Sequence, residues 1–229
     1  MSETKNYSVF PAKFEILTPI SPGGKDELQH IEKIGRECYQ SMSNFKEDGS
    51  SYSTFLRNLI RRGHESVLEH STLCVRFYVD RGITHEIVRH RLASYTQEST
   101  RYCNYVAEKF NNAIKVVDIY EGMKVEGNLD CKQMESIYRV WNLAMESAAK
   151  YYFKMIELGA SPQIARSVLP NSTRASLTMT ANYREWRHFF KLRTPKPAHP
   201  QLREVSIPLL KELQNKIPII FDDIEVADE

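Results

Sequence analysis

The chain has 229 residues, 41% of them hydrophobic and 26% charged, enough apolar material for a sizeable core and an ordinary charge content for a globular protein. The formal net charge of +2 is too small an excess for a nonspecific nucleic-acid binder, so basic clusters have to be judged locally. No apolar run is long enough to span a bilayer, and Met1–Phe10 lacks the charged-then-apolar order of a signal peptide. Cys38, Cys74, Cys103 and Cys131 form no CxxC pair. Four structural thiols in a reduced, cytoplasmic compartment are expected, with no membrane partner.

Tyr7 to Ile20 is rich in β-branched and aromatic residues and reads as one or two strands, closed by a turn at Ser21–Gly24. Asp26 to Met42 reads as a helix with Leu28, Ile31, Ile34 and Cys38 on one face. Ser53 suits the cap of a second helix running to Arg62, with Gly63 as its terminating glycine. Ser71 to Val79 alternates, with Leu73, Val75, Phe77 and Val79 on one side: a half-buried strand. Asp80–Gly82 breaks it. Ile83, Ile87 and Val88 suggest a short helix that delivers Arg89, His90 and Arg91 near its end. Thr100–Tyr105 and Ile114–Tyr120 read as extended.

Met134 to Leu158 is the strongest helical pattern. Met134, Ile137, Trp141, Ala144, Met145, Ala148, Tyr152 and Met155 form its apolar stripe, and Gly159 ends it. Pro162 starts another short helix. Ser172 to Ala181 alternates again. Asn182 followed by Glu185 has the spacing of a capping box. After a proline-rich loop, a last helix carries Pro208, where a kink is expected. The pattern predicts a single α+β domain over residues 1–229, with a mainly antiparallel sheet packed by long helices.

Arginine is unevenly distributed. Arg89, Arg91 and Arg101 form one cluster; Arg166, Arg174, Arg184, Arg187 and Arg193 form another. A guanidinium grips a phosphate through two parallel hydrogen bonds, a geometry that an ammonium cannot match. Taken singly, each arginine reads as part of a solvated face. Taken together among hydroxyls and amides, they read as a site for phosphorylated ligands. The histidine spacings argue against a metal. His64 and His70 are six apart and His85 and His90 five apart, and neither spacing aligns two rings on a helix as HExxH does. Ser99 and Cys103 lie outside any nucleophile elbow. The chain has only 9 glycines and no GxGxxG run, so a bound dinucleotide must be held by side chains and helix ends, with Asn182 and Arg184 as candidates.

Arg89-His90-Arg91, seven residues, then Ser99-Thr100-Arg101-Tyr102 resembles the signature of the flavin-dependent thymidylate synthases. Gly63–His70, Ala165–Pro170, Asn182–Arg193 and Ala198–Glu204 resemble further segments of that family, in order, from about Glu15 to about Leu213. The resemblance implies methylation of dUMP to dTMP, with methylenetetrahydrofolate as one-carbon donor, NADPH as reductant and FAD as the flavin. It also implies a homotetramer whose FAD sites are shared between subunits. Carried over by position, it assigns Ser66, Arg89, His90, Arg91, Gln97, Asn182, Tyr183, Arg184 and His188 to FAD. It assigns Glu86, Ile87, Val88, Arg89, Gln97, Glu98, Ser99, Thr100, Arg101, Arg166 and Arg193 to the nucleotide. Arg193 is the catalytic assignment, a cation at the uracil edge. His64 and His199 belong to the flavin–folate region in the same reading. Glu86 stands where other members carry glutamine, and His188 where they carry asparagine. The competing reading of the same arginines is a nucleotide- or RNA-binding module without redox activity, for which Tyr95, Tyr102 and Tyr105 supply the aromatics.

Overall fold

The computed structural model describes residues 6–101, 105–106 and 112–226. Tyr102 and Cys103 lie outside them, as does half of the predicted extended stretch Thr100–Tyr105; Thr100, Arg101 and Tyr105 are in turns rather than extended. The chain forms two compact units. One takes Met1–Lys13, Phe77–Arg89 and Thr96–Leu177; the other takes Phe14–Arg76, His90–Tyr95 and Thr178–Glu229. Each is discontinuous in sequence, so no single cut in the chain separates them.

Helix and sheet are mixed, as the sequence predicts. A four-stranded sheet runs in the order β2 (Lys13–Ile16), β3 (Thr72–Asp80), β6 (Arg174–Asn182), β4 (Ala93–Gln97). Its ends show the strand directions. Tyr183 N, just past β6, donates to Ser71 O, just before β3, and Arg81 N, just past β3, donates to Thr173 O. β3 and β6 are therefore antiparallel. The predicted alternation holds: Leu73, Val75, Phe77 and Val79 of β3 and Ala175, Leu177, Met179 and Ala181 of β6 are buried. In contrast, β1 (Tyr7–Phe10) pairs in parallel with β5 (Ile114–Val117), Tyr7 opposite Ile114. Strands so far apart in sequence need no hairpin, so nothing local to either one fixes their relative direction.

In the first unit, Tyr7, Ile114, Val116, Met145, Ala149, Tyr152 and Ala165 form one buried cluster. It is covered by the helix Cys131–Glu157 (α5), which Asp130 and Gln133 start with a full capping box. The predicted stripe of α5 splits. Met134, Met145 and Tyr152 are buried, whereas Ile137 and Ala144 lie on an exposed face with Val140 and Tyr151. The sequence pattern merged two apolar faces into one.

In the second unit, α1 (Lys25–Cys38) packs on α2 (Tyr52–Arg61), and α7 (Tyr183–Arg193) packs on α8 (Pro200–Lys216) and on the 3-10 turn Glu65–His70. The buried face of α1 is Leu28, Ile31, Glu32, Gly35 and Arg36, and Cys38 is exposed. Gly35 lets the Phe55 ring approach: a Cβ there would stand 2.7 Å from Phe55 Cε1. The Arg36 guanidinium lies 4.5 Å from the centre of the same ring. The fully buried Glu32 accepts from Arg36 Nε at 2.8 Å and from Ser51 Oγ at 3.0 Å. Ser51, not Ser53, therefore occupies the cap position of α2, and its hydroxyl serves Glu32 instead of the helix end. Gly63 ends the helix at φ +71°, as predicted.

Removing one member of a buried ion pair leaves the other uncompensated. Glu32→Ala is expected to lower unfolding stability by about 3–5 kcal/mol. Urea unfolding should show this as a lower midpoint with an unchanged slope.

Candidate functional site

Asp80 caps the helix Arg81–Ile87 (α3), its Oδ1 accepting from Ile83 N at 2.7 Å, so Arg81 stands at the first helical residue. Arg81, Thr100, Arg166, Pro170 and Asn171 line an open pocket of about 430 Å³ in the first unit. Arg166 Nη1 donates to Thr100 Oγ1 at 3.3 Å, and Arg101 Nε donates to Gln163 Oε1 at 3.1 Å. Ser99 Oγ accepts from Arg101 N at 3.3 Å, and Gln97 Nε2 donates to Thr84 Oγ1 at 2.9 Å. Among the described residues, no carboxylate lies within ion-pair distance of Arg81, Arg89, Arg91 or Arg166. Arg36, Arg57, Arg76, Arg184 and Arg187, by contrast, are all paired. Unpaired guanidiniums around a polar pocket favour an anion there.

Not every predicted nucleotide residue has a free side chain. Ile87 is fully buried, so only its backbone can reach a ligand. Glu98 is joined to β6 through its backbone N to Ser176 O at 2.8 Å and through its carboxylate to Ser176 N at 3.2 Å. Glu86 and Val88 are half-buried, and Arg89 is exposed.

The second unit holds a different constellation. Asn182 caps α7, its Oδ1 accepting from Glu185 N at 2.9 Å. The predicted capping box is only half formed, because the Glu185 carboxylate turns away from the cap and meets His90 Nδ1 at 2.9 Å. His90 is 4% exposed. Arg193 Nε donates to its Nε2 at 3.1 Å, Tyr95 donates to its carbonyl at 2.6 Å, and the Phe189 and His188 rings flank it at 5.0 and 5.5 Å. Burial holds the His90 pKa below 6.5; the Glu185 bond opposes this, and the charges of Arg193 and His188 reinforce it. Burial, aided by the charge of Glu185, pushes the Tyr95 phenol up to about 12.

Next to this cluster, Glu65, Glu69, Arg184, Glu185, His188 and Lys191 line an open pocket of about 550 Å³. Arg184 is paired with Glu69 at 2.5 Å. Tyr183 is buried against Phe221 and offers a ligand only its backbone. Ser66 and Arg91 are exposed, and among the described residues no polar contact ties either side chain to the pocket. His199 Nδ1 caps α8, accepting from Gln201 N at 3.2 Å, and His64 bonds the Tyr39 hydroxyl. His90, Glu185 and His188 also bring one potential metal-ligand atom each within 4.8 Å of one another. Both His90 nitrogens are already hydrogen-bonded, so an ion would have to displace Glu185 or Arg193. Spacing along the chain could not show this cluster, since His90 and Glu185 are 95 residues apart. Sequence reasoning also missed Arg81 and Lys191. In the sequence, Arg81 shows only as part of a strand-breaking turn.

A family profile described as thymidylate synthase complementing protein matches residues 24–219. The flavin-dependent thymidylate synthases of Mycobacterium bovis (strain BCG / Pasteur 1173P2) and Mycobacterium tuberculosis (strain ATCC 25618 / H37Rv) are each 35% identical over 207 residues, which cover 86% of this chain and 79% of the relative. The chain belongs to the flavin-dependent thymidylate synthase family. Solved structures of the UMP/dUMP methylase PolB from Streptomyces cacaoi match this family member in fold. The form bound with 5-Br dUMP has a TM-score of 0.72 at 24% identity, covering 93% of this chain and 95% of that one. The form bound with 5-Br UMP has the same TM-score at 22% identity, with 95% of each chain covered.

A base whose folded pKa is depressed is most stable neutral. The stability His90 contributes to this family member is full above 6.5 and is lost as pH falls from 6.5 through the folded pKa. Between about pH 7.5 and pH 6, above the range of ordinary carboxylates, the melting temperature of His90→Gln should therefore fall less steeply than that of the parent.

Proposed function

We propose that the chain converts dUMP to dTMP, with methylenetetrahydrofolate as one-carbon donor, NADPH as reductant and FAD as the resident flavin. The observation that carries the reading is the pair Arg81 and Arg166, lining one polar pocket with no carboxylate partner among the described residues. A phosphate monoester, with about −1.5 to −2 charges near pH 7, is a matching ligand. In this reading Arg166, Arg101 and Thr100 hold the phosphate, and Ser99 and Gln97 complete the nucleotide contacts.

The residues near the second pocket fit a flavin dinucleotide. Arg184 and Lys191 would exchange their glutamate neighbours, Glu69 and Glu65, for its pyrophosphate, and Asn182 and His188 would supply groups for hydrogen bonds to its edges. Ser66, Arg89, Arg91 and Gln97 are its remaining side-chain contacts in this reading, with Tyr183 contributing backbone; His90, buried and bonded at both ring nitrogens, has no free ring atom for the flavin. When bound, the flavin supplies the hydride chemistry that no side chain can. The chain's own work is to hold the pyrimidine, screen the phosphate and place Arg193 where negative charge develops on the uracil ring. Cytoplasmic placement fits the unpaired thiols of Cys38, Cys74 and Cys131.

The same reading makes the protein a homotetramer with flavin sites shared between subunits. Its support is the second apolar face of α5. Ile137, Ala144, Tyr151 and Leu158 recur every seven residues, with Val140 between the first two, and all five are exposed. Seven-residue spacing is the seam of helix-on-helix packing.

Two tests follow from these assignments. Arg193→Ala should lower turnover about 10³-fold while the protein stays folded and yellow, whereas Arg166→Ala should mainly raise the KM for dUMP, about 10- to 100-fold. Product analysis of the complete mixture decides both; a parent protein that forms no dTMP overturns the reading. Val140→Asp combined with Tyr151→Asp should release smaller species in light scattering coupled to size exclusion.

A further inference from the structure

The geometry points to Glu185 as a positioning residue that, acting through His90, sets the orientation of the Arg193 guanidinium. The inference rests on the assignment of Arg193 to the uracil edge made above.

The first argument is the position of Glu185. At the third residue of α7, three past the Asn182 cap, a glutamate would ordinarily bond back to the cap backbone. Here Asn182 still caps Glu185 N, but the carboxylate, 7% exposed, is given to His90. A helix-end bond is forgone for a bond to a ring 95 residues away.

The second argument is donor chemistry. Arg193 Nε carries a hydrogen and no lone pair, so it can only donate. His90 Nε2, 3.1 Å away, must therefore be the acceptor and carry no proton. In the neutral ring the proton then sits on Nδ1, where Glu185 Oε1 accepts it at 2.9 Å. The Tyr95 bond to the His90 carbonyl and the Phe189 and His188 rings keep the imidazole in place, but none of them selects a tautomer. Glu185 does so, as the acceptor facing Nδ1, and it agrees with the Arg193 donor facing Nε2. With the proton on Nε2 instead, two donors would face each other and the guanidinium would turn away. Protonation of His90 has the same effect, because the imidazolium donates from both nitrogens.

The titratable groups facing the ring are Glu185 and His188 from α7 and Arg193 at its end, while Tyr95 from β4 bonds the His90 carbonyl. Glu185 favours the imidazolium, and Arg193 and His188 oppose it. Removing the glutamate charge thus moves His90 protonation to lower pH while releasing the tautomer.

The test uses flavin-loaded protein labelled with ¹⁵N-histidine, the His90 signals being assigned by their loss in His90→Gln. In the parent near neutral pH, Nδ1 should appear protonated and Nε2 unprotonated. In Glu185→Ala, Nε2 should become protonated and kcat should fall about 10²-fold, the scale of a displaced catalytic group. Glu185→Gln, whose amide oxygen can still accept from Nδ1–H, should retain the parent tautomer and turn over faster than Glu185→Ala. In both variants the acidic limb of the rate profile should move to lower pH. Unchanged flavin content and circular dichroism serve as controls, and Glu185→Gln carries the test if Glu185→Ala does not fold. A parent with Nε2 protonated, or variants with the parental acidic limb, would overturn the inference. A parent that makes no dTMP defeats the functional reading instead, and the nitrogen spectra still decide the Glu185–His90–Arg193 arrangement.

Discussion

The anchoring of α7 is the constraint from which its polar site follows. Trp186, Phe189 and Phe190 are fully buried, their rings in contact with one another, and the Trp186 indole donates to Leu73 O at 3.0 Å. Three buried aromatic rings on one short helix leave it no freedom to rotate. Its other positions are then set by helical spacing. Asn182, Glu185 and His188 follow one another at steps of three, and Arg193 closes the last turn. The apolar half of α7 thus determines where its polar half points, and the ring of His90 is held between Glu185 and Arg193 as a result.

Charge is used in two opposite ways. Arg187, buried on the same helix, is bonded to Glu65, to both oxygens of Asp223 and to the Ile220 carbonyl. Its guanidinium is fully answered by the protein and ties the turn Glu65–His70 and the C-terminal segment to α7. Arg81 and Arg166 are not answered in this way. A guanidinium without a carboxylate is tolerated at an open polar pocket because water, or an anion, supplies what the chain does not. This difference in pairing separates Arg187, which holds the fold, from Arg81 and Arg166, which are available to a ligand.

Glu185 illustrates how a local rule and a tertiary demand compete. The capping box is worth about a kilocalorie per mole, whereas leaving a buried imidazole nitrogen unpaired costs about 1–3 kcal/mol. The buried partner wins, and the helix end keeps only its Asn182 half. Ser51 behaves likewise at the start of α2, where its hydroxyl answers the buried Glu32.

The sequence alone determined the alternating strands at Ser71–Val79 and Ser172–Ala181, the long helix ended by Gly159 and the family, because periodicity and ordered motifs are properties of neighbouring residues. It also marked the arginines, since their crowding among hydroxyls is visible in one dimension. Only the tertiary structure decided which of them are paired, that Ile87 and Tyr183 turn inward, that α5 carries two apolar faces and that β1 lies parallel to β5. It alone joined Glu185 to His90 and His90 to Arg193. Those outcomes depend on what approaches a residue from distant parts of the chain, and helical or strand periodicity carries no record of that.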